Sequence, residues 1–194
     1  RLSDFAKESV TMLQSESERL SRLTENLMTL ARSDEDFLPV YTAQVDMTML
    51  CSKVAGQMAL LAAEKRLQLE QAIQDNLIML GDEMALSRLL IILLDNAMKY
   101  SPEQTQITLR AAKVKTHLVL EVRDEGCGIS DEDKQKIFDR FFRVDKARSR
   151  SQGGLGLGLS LALAIVRQHG GSIKVLDNKP RGTIIYVKLP MAAK

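Results

Sequence analysis

Six apolar residues run unbroken from Leu89 to Leu94, and a polar tail of Asp95, Asn96, Lys99, Tyr100 and Ser101 follows before Pro102. Periodicity alone does not separate a buried helix from a buried strand here, so length and flanks decide. The compatible pattern reaches back to Asp82, a good N-cap, and forward to Pro102, which discourages helix through Ser101. That span is about five helical turns, too long for an ordinary strand. On such a helix Asn96, Lys99 and Tyr100 share one face. An amide, an ammonium and a phenol grouped on a helix otherwise apolar all round read as a site; a frayed helix end is the plain alternative.

Before it, Leu13, Leu20 and Leu27 repeat at heptad spacing, with Leu23 and Leu30 beside them and Glu16 the polar break in the seam. Residues 2–33 read as one long amphipathic helix whose coiled-coil-like stripe a lone helix cannot bury. Packing on its own domain would cover the stripe, but the heptad regularity favours pairing with another segment or chain. Residues 33–45 lose the periodicity around Pro39 and read as a linker. A second helix runs from Asp46 to about Lys65, with Met47, Leu50, Val54, Met58 and Leu61 on its inner face, and two extended pieces follow at 68–73 and 77–80.

After Pro102 the pattern changes to period two. Residues 106–112 and 118–123, joined by the basic turn 113–116, predict an antiparallel hairpin. Residues 131–142 predict a short helix with Ile137, Phe138, Phe141 and Phe142 as its apolar positions. A helix from Gly156 to His169 ends at Gly170–Gly171, and strands follow at 172–176 and 183–189. The mixture predicts an α+β fold: a two-layer α/β sandwich with helices on one face of a mixed sheet, preceded by the coiled-coil-like helix. The domains expected are 1–34, a linker at 35–45, and 46–194.

Composition narrows the setting. At 194 residues with 45% hydrophobic and 27% charged positions the chain is ordinary for a globular protein. A net charge of +2 is too small to argue for nucleic acid. Cys51 and Cys127 have neither metal-ligand spacing nor the density of a disulfide scaffold, so a reducing, cytoplasmic compartment is expected. No apolar run approaches the roughly 20 residues that span a bilayer, and no signal-peptide pattern opens the chain. Its start on Arg1, without methionine, reads as a fragment of something longer.

Three stretches could carry chemistry. Gly153, Gly154, Gly156 and Gly158 lie before a helix, where bare N–H groups can cradle phosphate; a flexible linker looks similar. The run is not a Walker A loop, since no Lys-Ser/Thr follows, and it lacks the dinucleotide spacing. Asp124 to Gly128 is a second glycine-rich turn, at a strand end. A buried Asp124 there could accept from the exocyclic amine of adenine while Gly126 and Gly128 let a flat ring approach, or the segment is a plain tight turn. Arg140, Arg143, Lys146, Arg148 and Arg150 cluster just upstream of the glycines. A solvated loop and a nucleic-acid contact are both open, but Phe141 and Phe142 read as core residues of the preceding helix rather than stacking aromatics, and with a phosphate cradle downstream the cluster reads best as a phosphate-closing lid. His117 and His169 read as structural, the latter as a helix-end residue where a cation suits the dipole, and Cys127 as a small packing residue.

The order of these features is more telling than any one of them. DNAMKYS, DEGCG, IFDRFFR, GGLGLGLS and RGT resemble, in sequence, the N, G1, F, G2 and G3 boxes of the ATP-binding domain of sensor histidine kinases, a branch of the GHKL ATPase superfamily. SERLSRLTENLMTLAR looks like the second helix of their dimerisation and histidine-phosphotransfer hairpin. The resemblance implies that Asn96 holds Mg²⁺ against the phosphates of ATP, that Lys99 and Tyr100 contact phosphate or ribose, and that Asp124 binds the adenine amine. It implies that Arg143 reaches the terminal phosphate and that Gly154, Gly156 and Gly158 cradle phosphates. Gly126, Gly128, Ile129, Phe138, Lys146, Leu155, Leu157 and Thr183, in or beside the same motifs, complete the nucleotide-contacting set. The implied catalytic group is Asn96, Lys99 and Arg143. The implied reaction passes the γ-phosphoryl of Mg-ATP to a histidine and then to an aspartate on a response-regulator receiver domain, with positioning and charge neutralisation supplying most of the catalysis. The implied partners are that receiver domain, a histidine-bearing helix of the same protein and a second copy joined through residues 1–34, with any membrane attachment through segments outside this chain.

Three departures from the pattern matter. No histidine followed by an acid occurs on the first helix, so the phosphoacceptor is expected elsewhere. One turn before Asn96 the kinases usually have Asn and the hydrolysing relatives (gyrase, Hsp90 and MutL-like) a general-base Glu, but here the residue is Ile92, which cannot activate water. The usual Thr of the GTGLGL loop is Leu155. These leave open a degenerate ATP-binding interaction module, a GHKL-type ATPase, or a serine kinase of the anti-sigma kind; the missing base disfavours the ATPase and the long first helix disfavours the serine kinase.

Overall fold

The computed structural model describes residues 43–144 and 155–191, with scattered helical positions (9, 10, 12–14, 17, 24 and 28) before them. The chain divides into two units, Arg1–Asp36 and Phe37–Lys194. In the first, Leu13 of the heptad seam is exposed, and Leu20, Leu23, Leu27 and Leu30 lie outside the described residues, as does most of the predicted linker.

In the second unit, strand β1 (Gln44–Asp46) leads into helix α1 (Met47–Glu64), then β2 (Gln68–Ile73), β3 (Ile78–Leu80) and helix α2 (Glu83–Tyr100). The hairpin β4 (Gln106–Val114) and β5 (His117–Arg123) follows, then a single helical turn α3 (Asp133–Lys136), helix α4 (Gly158–Gln168), β6 (Ser172–Asp177) and β7 (Thr183–Pro190). The main sheet has the order β2-β4-β5-β7-β6, with β2 parallel to β4 and the other pairs antiparallel. β1 and β3 form a separate antiparallel pair. The mixed sheet with helices on one face is the expected sandwich. Among the described residues no helix is long and apolar enough to cross a membrane.

Register explains which sheet face is covered. Leu109, Val122, Ile185 and Val175 stand in one cross-strand row and Ala111, Leu120 and Val187 in the next, all buried. Against them lies α2, flanked by α1 and α4. The opposite face carries the row Arg110, Glu121, Tyr186 and Lys174, in which Glu121 binds both Arg110 (3.3 Å) and Arg123 (2.5 Å) and the Lys174 ammonium stands 4.8 Å from the Tyr186 ring. Along this row the second face of the sheet is polar and charged.

Helix α2 forms where the sequence predicts it. Asp82 caps it by accepting from the Ala85 N–H at 3.1 Å, and Ser101 leaves the helix in an extended conformation before Pro102. Leu86, Leu89, Leu90, Leu93 and Leu94 are buried, and each contributes about 1.5–3 kcal/mol. That exceeds the roughly 1 kcal/mol net of one hydrogen bond, so packing fixes this helix and its polar edge need not. The helix is not buried all round, however: Met84 is 81% and Ile91 40% exposed.

Other expectations are corrected. Leu61 is exposed on α1, and Cys51, Ala55 and Ala62 fill the inner face with the remaining predicted residues. Part of the predicted linker is strand β1, visible only through its distant partner β3. Residues 131–142 are not one helix. Ser130 and Asp133 cap one turn, Ile137 is buried, and the chain then leaves helical geometry, with Phe141 at φ 65° and its N–H donating to the Gly156 carbonyl at 2.9 Å. A positive φ is foreign to an α-helix. Phe141 is therefore exposed and Phe142 half-buried, where both were expected in the core.

Candidate nucleotide-binding site

The last two turns of α2 meet the two glycine-rich segments. At its end, the backbone of Tyr100 lies against the turn after β5: a Cβ on Gly126 would stand 2.6 Å from the Tyr100 carbonyl oxygen and 2.8 Å from Asp124 Oδ1. Gly126 is thus glycine because the Tyr100 backbone and the Asp124 carboxylate converge on it, whereas at Gly128 the reason is φ, +76°, with the Gly182 carbonyl oxygen 3.7 Å from where a Cβ would stand.

Asp124 is buried, at 7% exposure. Its Oδ1 accepts from the N–H groups of Gly126 (2.8 Å) and Thr183 (3.0 Å), and its own N–H donates to the Thr183 carbonyl at 2.9 Å. Burial pushes its carboxyl up from the ordinary value, and the two N–H donors pull it back. One oxygen is saturated by backbone, which leaves Oδ2 to meet a donor from outside. Gly182 completes the corner at φ +122°, where an added Cβ would fall 1.9 Å from the Asp124 carbonyl oxygen. The Asn178 amide donates to that carbonyl at 2.8 Å. Asn178 was not singled out from sequence beyond its place in the turn; an Asn closing a strand is the only local signal.

One turn back on α2, Ile92 and Asn96 face the start of α4. A Cβ on Gly158 would stand 3.5 Å from Ile92 Cγ2 and 3.8 Å from Asn96 Nδ2. Both are ordinary contact distances, so the half-buried Asn96 amide lies beside a helix start whose cap, Leu157, makes no side-chain hydrogen bond. First-turn N–H groups and the helix dipole there favour an anion. The Lys99 ammonium is paired with Asp95 on the same edge. Tyr100 is 52% exposed, Leu155 is exposed and Leu157 fully buried. Ile129, Phe138 and Arg143 are half-buried along the segment that leads away from the Asp124 turn, and Thr183 is buried beside Asp124. Lys146 and Gly154 lie outside the described residues.

The structure thus gathers Asn96, Tyr100, Asp124, Gly126, Gly158 and Thr183 around the end of α2. A cleft of about 490 Å³ lies on the outer side of the turn, between 127–130 and 177–182. Cys127 lines it as an exposed thiol, not the packing residue expected. Another cleft, of about 350 Å³ between α1 and the start of α2, is lined by Leu50, Met84 and Ile91, remote from Asp124.

Residues 81–193 match the model of the histidine kinase-, DNA gyrase B- and HSP90-like ATPases. The chain belongs to this ATPase family. The match opens at Gly81, two residues before α2, and so takes in α2, the Asp124 turn, α4 and the β6–β7 pair. Sensor protein CiaH of Streptococcus pneumoniae is 40% identical over 183 residues, covering 94% of this chain and 40% of CiaH. Histidine kinase AdeS of Acinetobacter baumannii shares the fold with a TM-score of 0.78 and 25% identity, over 100% of this chain and 87% of that one. Full-length ShkA, solved in complex with AMPPNP, gives a TM-score of 0.85 and 25% identity, over 100% of this chain and 40% of ShkA. The chain therefore spans about 40% of the length of relatives such as CiaH. In this ATPase-family domain the N, G1 and G3 segments meet at the end of α2.

Proposed function

We propose that the chain is the ATP-binding catalytic core of a sensor histidine kinase and transfers the γ-phosphoryl of Mg-ATP to a histidine outside this chain. The observation that carries it is Asp124: a buried carboxylate with one oxygen held by two backbone donors, at a glycine-lined turn, in a member of this ATPase family. The second oxygen suits the amino group of adenine; a guanine carbonyl would meet it acceptor to acceptor. The start of α4, with Gly158 against Asn96, receives phosphate, and Lys99 and Arg143 add positive charge as it transfers.

A magnesium ion fits the donors on this edge. Among the described residues no group of three or more His, Cys, Asp or Glu could hold a metal by itself, and Asp95 is engaged by Lys99. Asn96 offers a hard amide oxygen, which suits an ion held mostly by phosphate and water. Bound there, it would neutralise phosphate charge. Ile92, packed toward Gly158, keeps a general base off this edge, so transfer to a protein acceptor is favoured over hydrolysis. The division into a helical segment (1–34), linker (35–45) and catalytic domain (46–194), pairing of two copies through the heptad leucines, cytoplasmic placement and relay to a receiver-domain aspartate belong to the same proposal.

The test mixes the chain with γ-labelled ATP, Mg²⁺ and a separately made histidine-bearing helical hairpin. Acid-labile label on the hairpin, abolished by Asn96→Ala or Asp124→Ala, is the expected result. ATP binding without transfer would replace the kinase with a nucleotide-dependent interaction module.

A further inference from the structure

We propose that Lys134 is a positioning residue, its ammonium held between Asp131 and Asp177 so as to fix the segment from Ile129 to Arg143 against the Asp124 end of the sheet. Lys134 Nζ lies 2.6 Å from Asp131 Oδ1 and 2.8 Å from Asp177. Its side chain is only 18% exposed, whereas those of Asp131 and Asp177 are 94% and 62% exposed. A lysine that sheds most of its water needs partners, and both carboxylates hold this ammonium above its usual range.

The two partners do different work. Asp131 is a neighbour in the same turn and stiffens it locally. Asp177 is the last residue of β6, and in the sheet register it pairs with Thr183. Thr183 in turn donates its N–H to Asp124 Oδ1 at 3.0 Å. Lys134 therefore ties the segment bearing Ile129, Phe138 and Arg143 to the strand pair that holds the adenine-facing carboxylate. The far end of that segment is stitched separately, by the Phe141 N–H on the Gly156 carbonyl at 2.9 Å.

Magnitudes separate holding from aiming. Ile137, 7% exposed, anchors the segment by apolar burial, while a partly exposed ion pair adds little to stability. Loss of the pair should leave the fold intact and let the segment shift. The consequence for nucleotide rests on the proposed ATP site.

The experiment uses the full chain with Lys134→Met, Lys134→Arg, Asp177→Asn and the Lys134→Met/Asp177→Asn double variant. Amide hydrogen exchange over 129–143 without nucleotide, the Kd of a fluorescent ATP analogue, and KM against kcat for label transfer are compared. Lys134→Met should speed exchange in that segment and raise Kd and KM for nucleotide about 2–5-fold, the scale of one partly exposed ion pair. Its urea midpoint should stay near wild type, and so should its kcat, because the Arg143 end of the segment is held by the Phe141–Gly156 bond. Lys134→Arg should restore wild-type values, and the double variant should be no worse than either single. Unchanged exchange in Lys134→Met, or additive losses in the double variant, would overturn the proposal. A wild-type chain that binds no ATP analogue would defeat the ATP-site reading, while the exchange comparison still decides the clamp.

Discussion

His169→Ala should uncouple the stability of this domain from mild acid. His169 sits at the end of α4, 5% exposed, against Gly81 at the threshold of α2. The backbone N–H of Asp82 points at its Nε2 (3.1 Å), and a backbone N–H can only donate, so Nε2 is the bare acceptor nitrogen. Its Nδ1–H then donates to the Ile165 carbonyl at 2.8 Å. The ring is neutral, contrary to the helix-end cation expected from sequence. Burial holds its pKa below the usual 6.5, outweighing the Ile165 hydrogen bond and the Asp82 carboxylate, which both raise it. Removing the ring loses two hydrogen bonds of about 0.5–1.5 kcal/mol each and strands the Asp82 donor at about 1–3 kcal/mol, so the variant should lose about 2–6 kcal/mol at pH 8. A group whose folded pKa is lowered contributes its full stability above the unfolded pKa and loses it as pH falls through the folded one. Wild-type stability should therefore decline below pH 6.5, by at most about 1.4 kcal/mol per pH unit for one proton, and the gap to His169→Ala should narrow. Asp124, whose raised pKa acts with the opposite sign, is present in both proteins and cancels. Urea unfolding between pH 5.5 and 8, with His117→Ala as control, measures this. A gap that is constant with pH would refute the tautomer and the linkage together.

Asp124→Asn should keep the two backbone bonds through its amide oxygen but turn an NH₂ toward the adenine amine; nucleotide affinity should fall at least ~10-fold with little change in urea midpoint, as read by titration of a fluorescent ATP analogue. Gly182→Ala forces a methyl into the Asp124 carbonyl at a φ of +122°, and should cost about 2–3 kcal/mol or more together with nucleotide binding. Gly56→Ala, inside α1 with nothing within 4 Å of the new methyl, should instead stabilise by about 0.5–1 kcal/mol. Equal effects of the two glycine changes on chemical denaturation would contradict the packing described.

What the sequence made legible follows from where burial enforces a period. The α2 leucines and the alternating residues of β4, β5 and β7 face one core, and a slip of one residue would expose each set, so their pattern reads directly. Phe138, Phe141 and Phe142 carry the same apolar spacing, yet their path is set by Gly156, a residue far along the chain whose carbonyl captures the Phe141 N–H. No local pattern encodes that. The Lys134–Asp177 pair and the β1–β3 pair were illegible for the same reason: each joins segments whose own neighbourhoods say nothing of the other. The site falls between these cases. Asn96 and Asp124 could be picked out because each sits at a polar break in an apolar element, and Gly126 and Gly158 because they stand in glycine-rich turns, but what α2 does at those glycines was not legible. Gly126 admits the Tyr100 carbonyl, which a Cβ would strike at 2.6 Å, whereas a Cβ on Gly158 would meet the Ile92 methyl and the Asn96 amide at ordinary contact distance. Gly126 is therefore set by the approach of α2 itself, and a side chain there would push the end of the helix away from the Asp124 turn.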